Sequence, residues 1–292
     1  MNVRLFKVLN KLKVFKYLSF KKEITLNNKQ ITVPVYDNMG QAYLFDFEPW
    51  MLSLLNTISP FITNSFVDVG VNIGQTLLKV KSVSPTINYI GFEPNPDCYN
   101  YLKRLVALNN FTNTRIFQFG ISNEVGDGAL YFSNNSKTDP SASIVNGFRN
   151  QSSIKKSIDV PLTTWNSING KHNFDTVSVL KIDVEGGELE VLNSFKSCLI
   201  NDKPIIIIEI LPTYTPENSF RINRQRKIEA LLKELDYIIF RVIKKNNDLQ
   251  GFKKLDAIEV HDNISLCDYV LVPKTKEADF YKCVKNFLNK VY

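Results

Sequence analysis

The chain has 292 residues, 44% of them hydrophobic, which is enough apolar material for one large α/β domain or two small ones with a buried core. Seven positive charges without an acid lie in the first 22 residues, and the remaining 29 basic and 29 acidic residues balance, which excludes the domain-wide basic face that DNA or RNA binding needs. Four scattered cysteines, two histidines and the lack of any charge-free apolar run of about 18 residues argue against structural zinc, a disulfide framework, a secretory signal and a membrane span, leaving a reducing cytoplasm as the expected setting.

The basic leader interleaves Arg4, Lys7, Lys11, Lys13 and Lys16 with Leu5, Val8, Leu9, Leu12 and Phe15, a spacing compatible with an amphipathic helix. Residues 1–22 are therefore a candidate contact for an anionic membrane surface, at the inner face of a membrane, or for a partner protein. A solvated leader or a helix packed on the domain is the plainer alternative. ITLNNKQITVPVYD then predicts a hairpin around Asn27-Asn28, and Pro49 opens a helix that places Trp50, Met51, Leu54, Leu55 and Ile58 on one face. SFVDVG predicts a short buried strand, GQTLLKVKSV a helix, INYIGFE a second strand, and NPDCYNYLKRLVALNN a helix capped by Asn95. TRIFQFGIS is expected as a third strand, followed by a turn and the strand ALYFS. The polar stretch 134–156 predicts a long loop over a site. VSVLKID, GELEVLNSF, PIIIIEI, RKIEALLKEL, YIIFRVI and CDYVLVPK continue the alternation as strand, helix, strand, helix, strand and strand. Such alternation predicts a Rossmann-like, doubly wound, mostly parallel sheet with helices on both faces.

Ligands of such a sheet bind beyond the carboxyl ends of the strands, where this chain places Asp68, Glu93, Gly120, Asp183 and Glu209. In SFVDVGVNIGQT, Gly70 and Gly74 let the backbone approach a ligand, and Asn72 tolerates the left-handed conformation such a turn demands. The GxxxG spacing departs from the dinucleotide GxGxxG, and Asp68 beside it would repel a phosphate and attract a cation. Glu93 stands 25 residues beyond Asp68, where a carboxylate can accept both hydroxyls of a ribose. An adenosine attached to a positive group fits both acids, and S-adenosylmethionine is such a molecule.

FVDVGVNIGQT, GFEPNP, LKIDVEGGELEVL and IIIIEI, in this order, resemble the FkbM-type methyltransferases, a branch of the class I S-adenosylmethionine-dependent enzymes. The resemblance runs from about Phe45 to Pro273. It implies a seven-stranded class I methyltransferase domain over residues 45–292, preceded by the basic helix and hairpin of residues 1–44. It also implies that Asp68, Gly70, Asn72 and Gly74 form the cofactor turn, that Glu93 holds the ribose and that Ile121 lies against the adenine. Val71 stands where the family usually has alanine. O-methylation of a sugar, a glycan or a related metabolite is the chemistry the resemblance implies.

Within KIDVEGGE, Lys181, Asp183 and Glu185 alternate onto one face of a strand, and a lysine in an apolar parallel strand needs a carboxylate partner. Asp183 is expected to act as base or orienter of the acceptor hydroxyl, with Glu209 second, and Glu188 only to cap the next helix. A divalent metal on Asp183 and Glu209 is a minority alternative lacking a third clear ligand, so no metal is assigned. A dinucleotide-dependent oxidoreductase, a nucleic-acid methyltransferase and a non-catalytic cofactor-binding protein rank below the glycan O-methyltransferase. Acceptor choice is expected to reside in residues 134–156, with Ser141, Ser143 and Arg149 nearby.

Overall fold

The computed structural model describes residues 17–44, 48–148 and 151–291. The predicted leader helix and Arg149 lie outside the described residues. The strands are, in chain order, β1 (Ser19–Leu26), β2 (Lys29–Tyr36), β3 (Ser65–Val69), β4 (Asn88–Phe92), β5 (Thr114–Phe117), β6 (Gly120–Ile121), β7 (Gly126–Phe132), β8 (Lys156–Thr163), β9 (Val177–Ile182), β10 (Ile205–Glu209), β11 (Tyr237–Lys245), β12 (Asp248–Leu255) and β13 (Asp268–Pro273). The α-helices are α1 (Pro49–Thr57), α2 (Gln75–Val83), α3 (Pro96–Leu108), α4 (Trp165–His172), α5 (Glu188–Ser194), α6 (Lys196–Asn201), α7 (Ser219–Glu234) and α8 (Glu277–Val291).

Eight strands build the main sheet in the order β12-β11-β13-β10-β9-β3-β4-β5. From β10 to β5 neighbours are parallel, whereas β10–β13, β13–β11 and β11–β12 are antiparallel. The expected seven strands are thus corrected to eight in a mixed sheet. The extra strand returns from β11 through Asn246 and Asn247, both at positive φ, the conformation a tight hairpin turn requires. The same chemistry at Asn27 and Asn28 closes the predicted β1–β2 hairpin.

Strands β9 and β3 are buried along their whole length because both sheet faces are covered. One apolar layer joins Phe66, Val179, Ile207 and Val270 to side chains of α1, α2, α3 and α8, and it includes Ile31 and Val33 of the hairpin. The opposite layer joins Val67, Leu180, Ile206 and Leu271 to α4, α5 and α7. The predicted third strand divides: β5 stays in the main sheet, while β6 pairs with β8 in a separate three-stranded sheet with β7. The chain runs outward from β3 to β4 and β5, then crosses back to β9 and β10, so the order reverses between β3 and β9. A crevice at their carboxyl ends is the consequence. Among the described residues, no helix is long and apolar enough to cross a membrane.

Candidate active site

The turn after β3 is held by glycines that nothing else could replace. Gly70 has φ +88°, and a Cβ there would meet the Asp183 carbonyl oxygen at 1.8 Å; Gly74 has φ +93°, and a Cβ there would meet Leu102 and Leu105 of α3 at 2.8 and 2.9 Å. Asn72 takes φ 50°, as the sequence anticipated. Its N–H donates to Glu93 Oε2 at 2.7 Å, while the Asn95 N–H donates to Oε1 at 2.8 Å. Glu93 thus ties the turn after β3 to the start of α3. Burial pushes its carboxyl up to about 7, against the two backbone donors of Asn95 and Asn72.

A cavity of about 260 Å³ lies over this turn, and Gly70, Asn72, Glu93, Ile121 and Asp183 are all on its wall. Phe119, Leu130 and Ile144 add apolar surface beside Ile121. The loop expected to cover the site does so through Asp139, Pro140, Ala142 and Ile144. Asp139 pins that loop: its Oδ2 accepts from Ser133 N at 2.7 Å and its Oδ1 from Ser141 N at 3.0 Å. Ser141 and Ser143 do not line the cavity, and Ser143 Oγ instead accepts from the Val145 N–H at 3.1 Å.

Asp68 sits behind the turn rather than on the cavity wall. It is wholly buried, accepts a hydrogen bond from the Tyr89 hydroxyl and lies 3.3 Å from Lys181 Nζ. Direct contact with a ligand therefore gives way to a supporting position, because Asp68 lies off both cavities with Tyr89 on Oδ2 and the Lys181 charge beside Oδ1. Lys181 also reaches Asp183 Oδ2 at 3.2 Å and the Gly70 carbonyl at 3.4 Å, so one ammonium binds the floor of the turn together. Burial opposes that charge, but Asp183 and Asp68 outweigh it and raise the Lys181 pKa. Gly74 stands under α3 instead of lining the cavity, and Glu188, the first residue of α5, accepts from the Gly186 N–H at 2.7 Å ahead of the helix rather than capping it.

Asp183, Glu185 and Glu209 converge at the ends of β9 and β10, with carboxylate oxygens within 4.8 Å of one another. Burial, then Asp183, Asp268 and Glu185, push Glu209 up to about 10. Glu209 accordingly holds its proton more tightly than an ordinary carboxyl, which weighs against it beside Asp183 as a base. Its side chain lies within interacting distance of Asp183, which contributes to the rise. Asp183, by contrast, is half-exposed and faces two spaces at once. A second cavity of about 370 Å³ shares Glu48, Gly70, Asn72, Gln75, Asp183 and Glu209 with the first. Its other side carries Trp50, Lys244, Asn247, Ser265 and Asp268. These last residues come from α1, β11 and the approach to β13, which are distant in sequence; only the strand-end position of Asp268 could have marked any of them.

A family model described as the methyltransferase FkbM domain matches residues 68–239. Methyltransferase sdnD of Sordaria araneosa is 29% identical over 210 residues, covering 63% of this chain and 75% of that protein. Hexuronic acid methyltransferase AglP of Haloferax volcanii is 27% identical over 179 residues, covering 60% and 69%. A crystal structure of methyltransferase FkbM from Methylobacillus flagellatus is 13% identical with a TM-score of 0.42, covering 80% of this chain and 46% of that one. With the family's domain matching more than half of the chain and including Asp68, Glu93, Asp183 and Glu209, the chain belongs to the FkbM methyltransferase family.

Proposed function

We propose that the protein is an S-adenosylmethionine-dependent O-methyltransferase whose acceptor is a hydroxyl of a sugar, a glycan or a related metabolite. The observation that carries this reading is the position of Asp183, which lies on the shared wall of two adjoining cavities. The first fits the cofactor: each Glu93 oxygen already accepts one backbone N–H and retains a lone pair for one ribose hydroxyl. Ile121, Phe119 and Leu130 offer an apolar face to adenine, and Gly70 and Asn72 bring backbone close to the remainder. When bound, S-adenosylmethionine supplies an electrophilic methyl group on a leaving group that departs neutral.

The chain's own contribution is placement and proton handling. An acceptor in the second cavity presents its oxygen towards the first across Asp183, and holding two reactants in line can supply several kcal/mol of the barrier. Asp183 orients the hydroxyl and takes its proton. Lys181, 3.2 Å away, fixes the rotamer, and Glu209 lies beside the same carboxylate. AglP, named a hexuronic acid methyltransferase, supports a sugar as the class of acceptor but not the presence of its carboxylate here. A cytoplasmic setting is consistent with the free cysteines Cys98, Cys198, Cys267 and Cys283.

Asp183→Asn is expected to retain the fold and most cofactor affinity while turnover falls by about 10²–10⁴, the range for a positioned general base. If Asp183 only pairs with Lys181, the variant melts earlier but the folded fraction turns over normally. A second reading follows from the convergence of Asp183, Glu185 and Glu209, whose oxygens could hold a divalent cation. Loss of wild-type activity on chelation and its return with magnesium would select that reading. Cofactor binding without transfer to any acceptor would mark a non-catalytic protein.

A further inference from the structure

The second cavity carries its own chemical signature. Four carboxyl side chains line it, Glu48, Asp183, Glu209 and Asp268, against two ammonium groups, Lys181 and Lys244. Each cation is engaged by an acid. Lys181 lies 3.3 Å from Asp68 and 3.2 Å from Asp183, and Lys244 forms a short ion pair with Asp268 in which both side chains are largely buried. Lys79, behind the wall, reaches Glu48 at 2.9 Å. Lys244 further stands 4.6 Å above the Trp50 ring, so its ammonium is held between an aromatic face and a carboxylate.

Resting on the methyltransferase reading of this site, we propose that the second cavity takes an uncharged polyhydroxy acceptor of about monosaccharide size and rejects one that carries a carboxylate or phosphate. An acceptor hydroxyl finds oxygen acceptors on every side: Asp183, Asp268 and Glu48 from side chains, with Asn247 and Ser265 completing the polar rim. Among the described residues, an acceptor carboxylate finds no unengaged ammonium on this wall and several like charges, an arrangement that selects by repulsion as much as by attraction. Burying an anion there would also break the Lys244–Asp268 pair and leave Asp268 without its partner.

The test uses the intact protein loaded with S-adenosylhomocysteine for binding and S-adenosylmethionine for transfer. Methyl glycosides of the common neutral hexoses are compared with the matching uronates and 6-phosphates by calorimetric titration and labelled methyl transfer. Transfer to at least one neutral glycoside, with kcat/KM on the order of 10²-fold above its uronate and phosphate, is the expected result. Comparable or faster transfer to an anionic partner overturns the proposal, as does transfer to none of the panel. Asp268→Asn, which releases Lys244, is expected to leave the affinity for S-adenosylhomocysteine unchanged and to narrow the neutral-to-uronate ratio by about tenfold. A folded variant with an unaltered ratio overturns the role of the pair. Failure of the wild-type protein to bind either cofactor form would instead sink the methyltransferase reading of the site, so the two failures are distinguishable.

Discussion

At Glu93, burial keeps a carboxyl half-protonated near pH 7 while two backbone N–H groups hold it in place. Ribose hydroxyls that donate to it favour the ionised form, so binding of the cofactor should release a proton and strengthen as pH rises from about 6 to 8. Glu93→Gln is expected to weaken S-adenosylmethionine binding by about 1.5–3 kcal/mol and to flatten that dependence. Calorimetry in buffers of differing ionisation enthalpy measures both; a pH-independent affinity equal to wild type removes the ribose role. Glu93 and Asp183 were legible as acids ending apolar strands, and both stand on the cavity wall. Asp68 was legible only as a strand-end acid, because side-chain direction there depends on register: Asp68 pairs with Lys181 across β9, and Tyr89 reaches it from β4. No spacing along the chain announces Tyr89, Lys244 or Trp50, which meet their partners only after the sheet has closed.

The turn between β3 and α2 is the element on which the cofactor cavity depends. Gly70→Ala would place a methyl group 1.8 Å from a carbonyl oxygen at φ +88°, a conformation that already disfavours any side chain. The variant should lose more than about 1 kcal/mol of stability and its cofactor binding. Gly126→Ala, where a Cβ meets nothing within 4 Å, should stay within about 0.5 kcal/mol of wild type. Equal denaturation midpoints and cofactor affinities for the two variants would show that the turn tolerates displacement.

Strands and helices with strong periodicity or caps were readable, among them α3, whose Asn95 side chain accepts from Asp97 N. The split of the third strand was not. Gly120 packs against Leu162 so closely that a Cβ would lie 2.7 Å away, and this pairing with β8 draws β6 out of the main sheet. Strands β8 and β12 and helices α4 and α6 were likewise not legible in the sequence. Helix α8 was legible in principle, since Phe280, Val284 and Phe287 share one helical face and all pack on the core.

For the molecule as a whole, the crevice places several carboxyl groups where water cannot stabilise their charge. Burial raises Glu93 and Glu188 to about 7, Asp268 to about 6 and Glu209 to about 10. The unfolded chain ionises these groups at ordinary carboxylate pKa values of about 4, so between there and the folded pKa the native state binds more protons than the unfolded one. Stability must then fall as pH rises through that window, by up to about 1.4 kcal/mol per pH unit for each group in it. The apo-protein should therefore melt at a lower temperature at about pH 7.5 than at about pH 5.5, the reverse of a protein held together by exposed carboxylate ion pairs. Glu188 isolates the effect, because it accepts from the Gly186 N–H just ahead of α5 and lies off both cavities. Glu188→Gln keeps an oxygen to accept that bond and removes the titration, so its melting temperature should vary less between the two pH values. A wild-type protein that instead gains stability from pH 5.5 to 7.5, with Glu188→Gln following it in parallel, would mean that the crevice carboxyls are ionised and compensated in the fold. In that case the charge that Asp183 needs as a base would be shared with its neighbours, and Glu209 would regain its place as a candidate base.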